Sequence, residues 1–185
     1  MANSFLDLGI SVSIFFVSFL ILIFKLRFLM SLFRVDYYNP ITQFVIKFTK
    51  PFIVFLFFLP RIRSFELSSF VLLISLYFLD SFLESYTKAS LFIYSNEIIP
   101  ALKSCIFGIL NTLVVIFIIL AVSSWFTPLG HGTRNPVLNL VNEITSPILY
   151  KIRSIIPATF GVIDFSVAIA IFIFLILKNI INILI

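Results

Sequence analysis

Four long runs of apolar residues constrain the fold of this chain more than any other feature. The runs cover residues 8–33, 67–83, 105–126 and 165–185. A helix needs about 20 residues to cross the hydrocarbon core of a bilayer, and each run is close to that length. Because 61% of the residues are hydrophobic and only 11% are charged, polar side chains cannot cover the apolar surface. The sequence therefore predicts an all-α membrane protein with four transmembrane helices.

Two polar connectors between these runs carry matching asparagine, proline and acidic residues at nearly the same spacing. The matching positions are Asn39 and Asn135, Pro40 and Pro136, Pro51 and Pro147, Pro60 and Pro157, and Glu66 and Asp164. The offset is 96 residues at the first three pairs, 97 at the fourth and 98 at the fifth. A nearly constant offset is the sequence signature of internal duplication. We therefore predict two tandem repeats, 7–88 and 104–182, each consisting of a membrane helix, an interfacial amphipathic helix and a membrane helix.

The connectors are expected to form short amphipathic helices. Asn39 can cap the first one by accepting hydrogen bonds from backbone N–H groups, and Pro40 suits the first helical position. Apolar residues then recur at helical spacing with Lys and Gln on other faces, which is typical of a helix lying in the membrane interface. Proline disfavours a helix interior by about 3 kcal/mol. Pro51 is therefore expected to end or kink the first helix, and Pro147 to interrupt the second.

Few ionisable residues accompany the apolar runs. Asp80 and Glu84 are four residues apart on one face of the second helix, so they are candidates for a proton or cation pathway. Both lie near the end of the run, where headgroup water is available, and the alternative is a solvated helix end. Lys25 and Arg27 follow the uncharged part of the first run and are expected to extend to the lipid headgroups.

Three further positions bear on how the helices are joined and packed. Pro100 is expected to break any helix in the link between the repeats. Cys105 is the single cysteine and is expected to be a small packing residue. Asn111 could form hydrogen bonds across helices within the membrane.

The basic residues are distributed unequally between the two sides of the predicted membrane. Ten Lys and Arg residues lie on the connector side and three on the opposite side. The positive-inside rule then places both connectors in the cytoplasm and both termini in the periplasm. Since each repeat contains two membrane helices, the two repeats have the same orientation, unlike the inverted repeats of many transporters.

The residues that most catalytic or metal sites need are missing. His131 is the single histidine and lies in a glycine-rich turn, so a His–Cys metal site lacks its other ligands. The sequence contains no P-loop, dinucleotide-binding glycine motif or nucleophile elbow. The formal charge of +5 is dispersed, and no nucleic acid contact is evident. We expect no enzyme, no cofactor and no metal.

The second half of the chain resembles the YggT (YlmG) family of small integral membrane proteins. The resemblance is carried by SWF followed by NP, by TSPILYKIRSIIP and by GVIDFS. Its most specific positions are Asn135, Pro136, Pro147, Arg153, Pro157, Gly161, Asp164 and Ser166. The first half is similar but degenerate, because Glu66 replaces the aspartate and no arginine stands between Pro51 and Pro60. A function shared by that arginine and that aspartate is therefore expected only in the second half.

The resemblance implies a multi-pass protein of the bacterial inner membrane or of plastids. The family has been associated with osmotic and potassium tolerance, with cell division and with nucleoid distribution in plastids. Two functions remain open. One is a non-enzymatic scaffold or assembly factor linked to osmotic tolerance or cell division, whose candidate partners besides the lipid bilayer are a membrane or cell-division protein and a second copy of the chain. The alternative is a pathway for potassium, protons or a small solute, formed by an oligomer.

Arg153 and Asp164 flank the turn that leads from the second connector into the fourth membrane helix. Asp164 suits the N-cap or first turn of that helix, and Arg153 suits the C-terminal end of its own helix. One hypothesis is an ion pair that fixes the angle between the two helices. The alternative is two independent caps.

Overall fold

The computed structural model describes residues 2–56, 58–62, 64–87, 94–126, 135–156, 159–160 and 163–184, with side chains over 8–56, 58–60, 62, 64–85, 98–124, 135–156 and 165–184. Within these residues the chain forms six α-helices. They are α1 (Ala2–Phe33), α2 (Pro40–Ile53), α3 (Leu67–Thr87), α4 (Tyr94–Phe126), α5 (Pro136–Ile155) and α6 (Ser166–Leu184). The predicted all-α fold is confirmed.

Four of the helices are long and apolar enough to cross a membrane. The spans are Leu8–Phe33 in α1, Leu67–Ser85 in α3, Ile98–Ser124 in α4 and Ser166–Leu184 in α6. They overlap the four apolar runs of the sequence, and the third begins seven residues earlier than predicted, so the predicted membrane helices are confirmed. The remaining two helices, α2 and α5, are called the connector helices below.

The elements follow the same order in both halves of the chain. In each half a membrane helix is followed by a connector helix, a short antiparallel hairpin and a second membrane helix. The first hairpin consists of β1 (Arg61–Ile62) and β2 (Phe65–Glu66), and the second of β3 (Thr159–Phe160) and β4 (Ile163–Asp164). The duplication itself, with bounds 7–88 and 104–182, stays a prediction.

Both connector helices begin with the capping asparagine and the first-position proline that the sequence predicts. Asn39 has an extended backbone, and its side-chain oxygen accepts a hydrogen bond of 2.9 Å from the Ile41 backbone N–H. Asn135 forms the same 2.9 Å bond with the Val137 N–H. Pro40 and Pro136 occupy the first helical positions, where the missing N–H costs little.

Two prolines that were expected to stop helices lie inside them. α5 continues for eight residues beyond Pro147, so the predicted interruption is wrong. α4 begins before Pro100 and continues through it, so the predicted break there is also wrong. In each helix the residues after the proline are buried, Leu149 and Ile152 in α5 and Cys105 in α4. Their burial offsets the one backbone hydrogen bond that each proline removes. Pro51 lies two residues before the end of α2, which finishes in a single 3₁₀ turn at Val54–Leu56.

The packed interior consists of two clusters that share α1 and α4. The larger cluster joins these helices to α5 and α6, with Leu29, Phe117 and Ile144 fully buried. The smaller cluster joins them to α3 around Phe24 and Cys105. Cys105 is a buried free cysteine, in keeping with the packing role predicted for it. The connector helices lie against this bundle, α2 on α1 and α5 on α4 and α6.

Candidate functional site

A partly buried ion pair joins the first membrane helix to the first hairpin. The Nη2 and Nε atoms of Arg27 lie 2.8 and 2.9 Å from the two carboxylate oxygens of Glu66. The two side chains are only 12% and 14% exposed. The expectation that Arg27 extends to the headgroups is therefore wrong. A bidentate carboxylate satisfies the guanidinium within the protein, and its fork geometry makes this one of the stronger kinds of pair.

Neighbouring helices complete the surroundings of this ion pair. Nη1 of Arg27 donates to the Thr49 hydroxyl oxygen at 2.6 Å and to the Ile46 carbonyl oxygen at 3.3 Å, both on α2. The Ser69 hydroxyl at the start of α3 donates to Glu66 at 2.9 Å. Thr49 and Ser69 are fully buried. One guanidinium thus joins α1, α2 and the hairpin, and one carboxylate extends the network to α3.

We call the place where each hairpin meets its neighbouring helices the hairpin junction. In the junction of the second half, the arginine comes from the connector helix and not from the membrane helix. Arg153 lies in the last turn of α5, as predicted, and its Nε donates to the Ser166 hydroxyl oxygen at 3.2 Å. Ser166 is the first residue of α6 and is fully buried. Asp164 pairs with Thr159 in the hairpin two residues earlier, so its backbone is not the N-cap of α6. The Asp164 side chain and Pro157 lie outside the described residues, and the Arg153–Asp164 ion pair stays a prediction.

Asn39 connects the two halves. While its side-chain oxygen caps α2, its Nδ2 donates to the carbonyl oxygen of Pro136 at 2.8 Å. Beside it, the Asp36 backbone N–H donates to the Glu143 carboxylate at 2.7 Å. The structure therefore brings the N-terminal ends of the two connector helices together. Sequence reasoning identified Asn39 as a local cap and as a repeat position, and did not predict this contact between the halves.

The other prolines of the motif do not gather into one site. Pro51 and Pro147 are exposed on their own connector helices, and Pro60 is exposed where the chain enters the first hairpin. Each acts on the path of the backbone at its own position.

The two acidic residues of α3, Asp80 and Glu84, differ in how far they are exposed to solvent. Asp80 is partly buried, and its Oδ1 atom is inaccessible to solvent and has no hydrogen-bond partner within the described chain. Glu84, one turn further on, is exposed. Near Asp80, the Tyr77 hydroxyl packs directly on Gly108 of α4, where an added Cβ would lie 1.8 Å from the hydroxyl oxygen. The Cδ atom of Lys25 would be 3.5 Å from the same Cβ. Lys25 of α1 and Tyr77 of α3 therefore both approach α4 at Gly108.

A second polar contact lies between α4 and α6. The Lys178 Nζ donates to the side-chain oxygen of Asn111, which confirms the predicted hydrogen bond of Asn111 across helices. The ammonium also lies 5.8 Å from the centre of the Phe107 ring. These contacts give the single charge of α6 a partner within the bundle.

His131 and the glycine-rich turn around it lie outside the described residues.

Comparison with known proteins identifies the family. The CCB3/YggT family model matches residues 7–87 and again residues 99–185. A protein of Pseudomonas aeruginosa titled Uncharacterized protein PA0392 is 33% identical over 166 residues, which cover 87% of this chain and 80% of the relative. An uncharacterized protein of Haemophilus influenzae is 30% identical over 147 residues, covering 79% of this chain and 76% of the relative.

A third relative comes from Vibrio alginolyticus and is titled Uncharacterized protein in proC 3'region. It is 30% identical over 159 residues, covering 80% of this chain and 78% of the relative. No solved structure matches the chain significantly. The resemblance noted from the proline-punctuated connectors is confirmed, and the chain belongs to the CCB3/YggT family of membrane proteins.

Proposed function

We propose that the protein is a non-enzymatic membrane scaffold or assembly factor, and that its partner binds the exposed side of the two connector helices. One observation carries this proposal. Although α2 and α5 are far apart in the chain, they are held together at their N-terminal ends by the bonds from Asn39 to Pro136 and from Asp36 to Glu143. A surface fixed in this way before binding costs less to order when a partner arrives.

The chemistry of this connector surface suits a protein partner. Its exposed residues include Phe44, Lys47, Lys50, Tyr150, Lys151 and Arg153. The side chains of Phe44 and Tyr150 are 60% and 75% exposed. Aromatic residues and arginine are enriched in protein interfaces, and the cations favour an acidic partner. The association of the family with osmotic tolerance and cell division points to a membrane or cell-division protein, and a second copy of the chain is the other candidate.

Photo-crosslinking from the connector surface tests this proposal. A photoreactive phenylalanine analogue is placed at Phe44 or at Tyr150, and for control at Phe15, which is 76% exposed on the apolar helix α1. We expect a discrete crosslinked protein from the connector positions and lipid adducts from Phe15. A crosslinked band of twice the chain's mass would identify a second copy as the partner. Lipid adducts alone from all three positions would contradict the scaffold.

The proposed orientation places the protein in the bacterial inner membrane with its connectors in the cytoplasm and its termini in the periplasm. The support is the excess of Lys and Arg on the connector side. In intact cells, a membrane-impermeant thiol reagent should label Ser4→Cys and leave Ser154→Cys unlabelled, both in a Cys105→Ala background. Labelling of Ser154→Cys alone would reverse the orientation.

The second candidate is a pathway for potassium, protons or a small solute. It is favoured by the Oδ1 atom of Asp80, which is buried within a membrane span without a described hydrogen-bond partner. Purified protein in liposomes separates the two functions, with Asp80→Asn as the test variant and the exposed Glu84→Gln as its matched control. Flux that is lost only in Asp80→Asn would support the pathway and overturn the scaffold. Absence of flux at every imposed potential would support the scaffold.

A further inference from the structure

A cavity of about 540 Å³ lies where the first membrane helix ends. Its polar lining includes Arg27, Ser31, Arg34, Tyr37, Thr42 and Glu66. Met30, Val35 and Ile46 provide apolar wall. A cavity with this mixed lining, at the end of a membrane span, is suited to a ligand that has both a polar and an apolar part.

Arg34 stands at this cavity in a backbone conformation that normally belongs to glycine. Its φ is 56°, and it directly follows Phe33, the last residue of α1. The Arg34 N–H bonds to the Ser31 carbonyl at 3.3 Å, and the Val35 N–H bonds to the Met30 carbonyl at 3.0 Å. These are the two bonds of a Schellman motif, in which glycine is strongly preferred at the position of Arg34. A non-glycine residue in this conformation, lining a cavity, motivates a role for its side chain there.

The Arg34 side chain is available for a ligand. It is exposed, and no described carboxylate pairs with it. The nearest acidic residue in sequence, Asp36, uses its carboxylate to accept from the Tyr38 N–H at 3.0 Å. Among the other lining residues, Arg27 and Glu66 neutralise each other. The described lining therefore carries one uncompensated positive charge, which favours an anion.

Thr42 supplies a second indication of a ligand. Its side chain is 2% exposed, and its hydroxyl oxygen is buried with no hydrogen-bond partner in the described chain. It lies in the first turn of α2, where the partial positive charge of a helix N-terminus also favours an anion. Because a buried hydroxyl without a partner is costly, an anion oxygen here would satisfy it.

We infer that this cavity binds a phosphate group, with Arg34 as its cation and Thr42 as a hydroxyl donor. The apolar wall and the position at the end of α1 suit the phosphate of a membrane lipid. A soluble phosphate ester has the same anionic chemistry, so the experiment has an arm for each source.

Native mass spectrometry in detergent measures the binding. The probes are phosphatidylglycerol, diacylglycerol with the same acyl chains, and glycerol phosphate. We expect phosphatidylglycerol to be retained and diacylglycerol, which lacks the phosphate, to be lost. Displacement of the lipid by equimolar glycerol phosphate would support the phosphate site and assign its ligand to the soluble source. Equal retention of diacylglycerol and phosphatidylglycerol would overturn the inference.

Matched variants separate this site from general surface charge. Arg34→Gln is expected to weaken phosphatidylglycerol binding about tenfold, as loss of one charge-assisted hydrogen bond implies. Lys47→Gln removes the same charge from an exposed position on α2 outside the cavity, and we expect less than a twofold change. Thr42→Val keeps the shape of the side chain and is expected to weaken binding about threefold. Equal effects of Arg34→Gln and Lys47→Gln would overturn the site in favour of diffuse attraction.

Arg34→Gly distinguishes binding from folding. Glycine relieves the backbone strain, so the melting temperature of the lipid-free protein should rise while the affinity for phosphatidylglycerol falls as in Arg34→Gln. A folded Arg34→Gly variant that retains the original affinity would overturn the inference.

Discussion

The two hairpin junctions brace a membrane helix against a connector helix with arginines that come from different segments. In the first half, Arg27 comes from the membrane helix α1 and pairs with Glu66 of the hairpin. In the second half, Arg153 comes from the connector helix α5 and donates to Ser166 at the start of α6. The Arg27 side chain is partly buried, at 12% exposed, whereas Arg153 is exposed. A guanidinium is thus used at both junctions, although its place in the sequence differs.

This difference changes how the degenerate first half is understood. It has no arginine between Pro51 and Pro60, and an arginine–carboxylate function was therefore expected only in the second half. That expectation stays a prediction, but in the structure Arg27 provides a bidentate partner for Glu66 from another helix. An arginine that is missing from a motif can be replaced by one that reaches the same junction from elsewhere in the fold.

The largest expected effect comes from leaving one member of the partly buried pair without its partner. Arg27→Met should lower the free energy of unfolding by about 3 kcal/mol, because Glu66, which is only 14% exposed, loses its charge partner. The double variant Arg27→Met/Glu66→Leu should recover most of this loss. Denaturant unfolding in detergent measures both, with Arg153→Met in the exposed junction as control at about 1 kcal/mol or less. Equal losses in the single and double variants would show that the bonds to α2, and not the charge pair, stabilise the junction.

The two asparagine caps provide the next comparison. Asn39→Ala should cost about 2 kcal/mol, since it removes both the cap of α2 and the bond to Pro136. Asn135→Ala removes a cap alone and should cost about 1 kcal/mol. Thermal unfolding of the two variants gives the difference. Identical losses would mean that the contact between the halves adds nothing to stability.

Replacing the prolines inside the two connector helices should change the free energy of unfolding by different amounts. Pro147→Ala restores a backbone hydrogen bond in the middle of α5 and should raise the free energy of unfolding by about 1 kcal/mol. Pro51→Ala should have a smaller effect, because α2 ends two residues later at Ile53. Unfolding curves measure the two gains, and circular dichroism reports any change in helix content. A loss of stability in Pro147→Ala would indicate that the proline is needed for the packing of α5.

The smallest expected effect concerns the ion pair proposed for the second junction. In a double-mutant cycle with Arg153→Ala and Asp164→Ala, we expect a coupling energy above about 0.5 kcal/mol. The cycle is measured by thermal unfolding in detergent, with Lys151→Ala and Asp164→Ala as the control pair. Additive losses from the first pair would leave two independent caps. Only the first junction would then contain an ion pair.

Local features of the chain were predictable from sequence. The four membrane helices follow from run length and composition, and the cap at Asn39 follows from the residue types beside it, because both effects act over a few neighbouring residues. The hydrogen bond of Asn111 followed from the scarcity of polar partners within the membrane. The continuation of α5 past Pro147 did not follow, since the burial that offsets the proline belongs to tertiary packing.

The contacts between distant segments could not be derived in the same way. Arg27 and Glu66 are 39 residues apart, and their meeting depends on how α1 is rotated against the hairpin. Asn39 and Pro136 are 97 residues apart, and no local pattern marks their contact. A signal for the first pair was present in the acidic residue retained at the hairpin and in an arginine inside an apolar run. Neither residue alone identifies its partner.

The partly buried pair also has a consequence for the order in which the protein is assembled during synthesis. Arg27 leaves the ribosome 39 residues before the carboxylate that neutralises it. Until Glu66 has been made, the Arg27 side chain must stay with water or headgroups, because an unpaired charge is costly within a membrane. We therefore expect the first helix to settle at its final depth only after the hairpin has closed on it, when the second membrane helix α3 has still to follow.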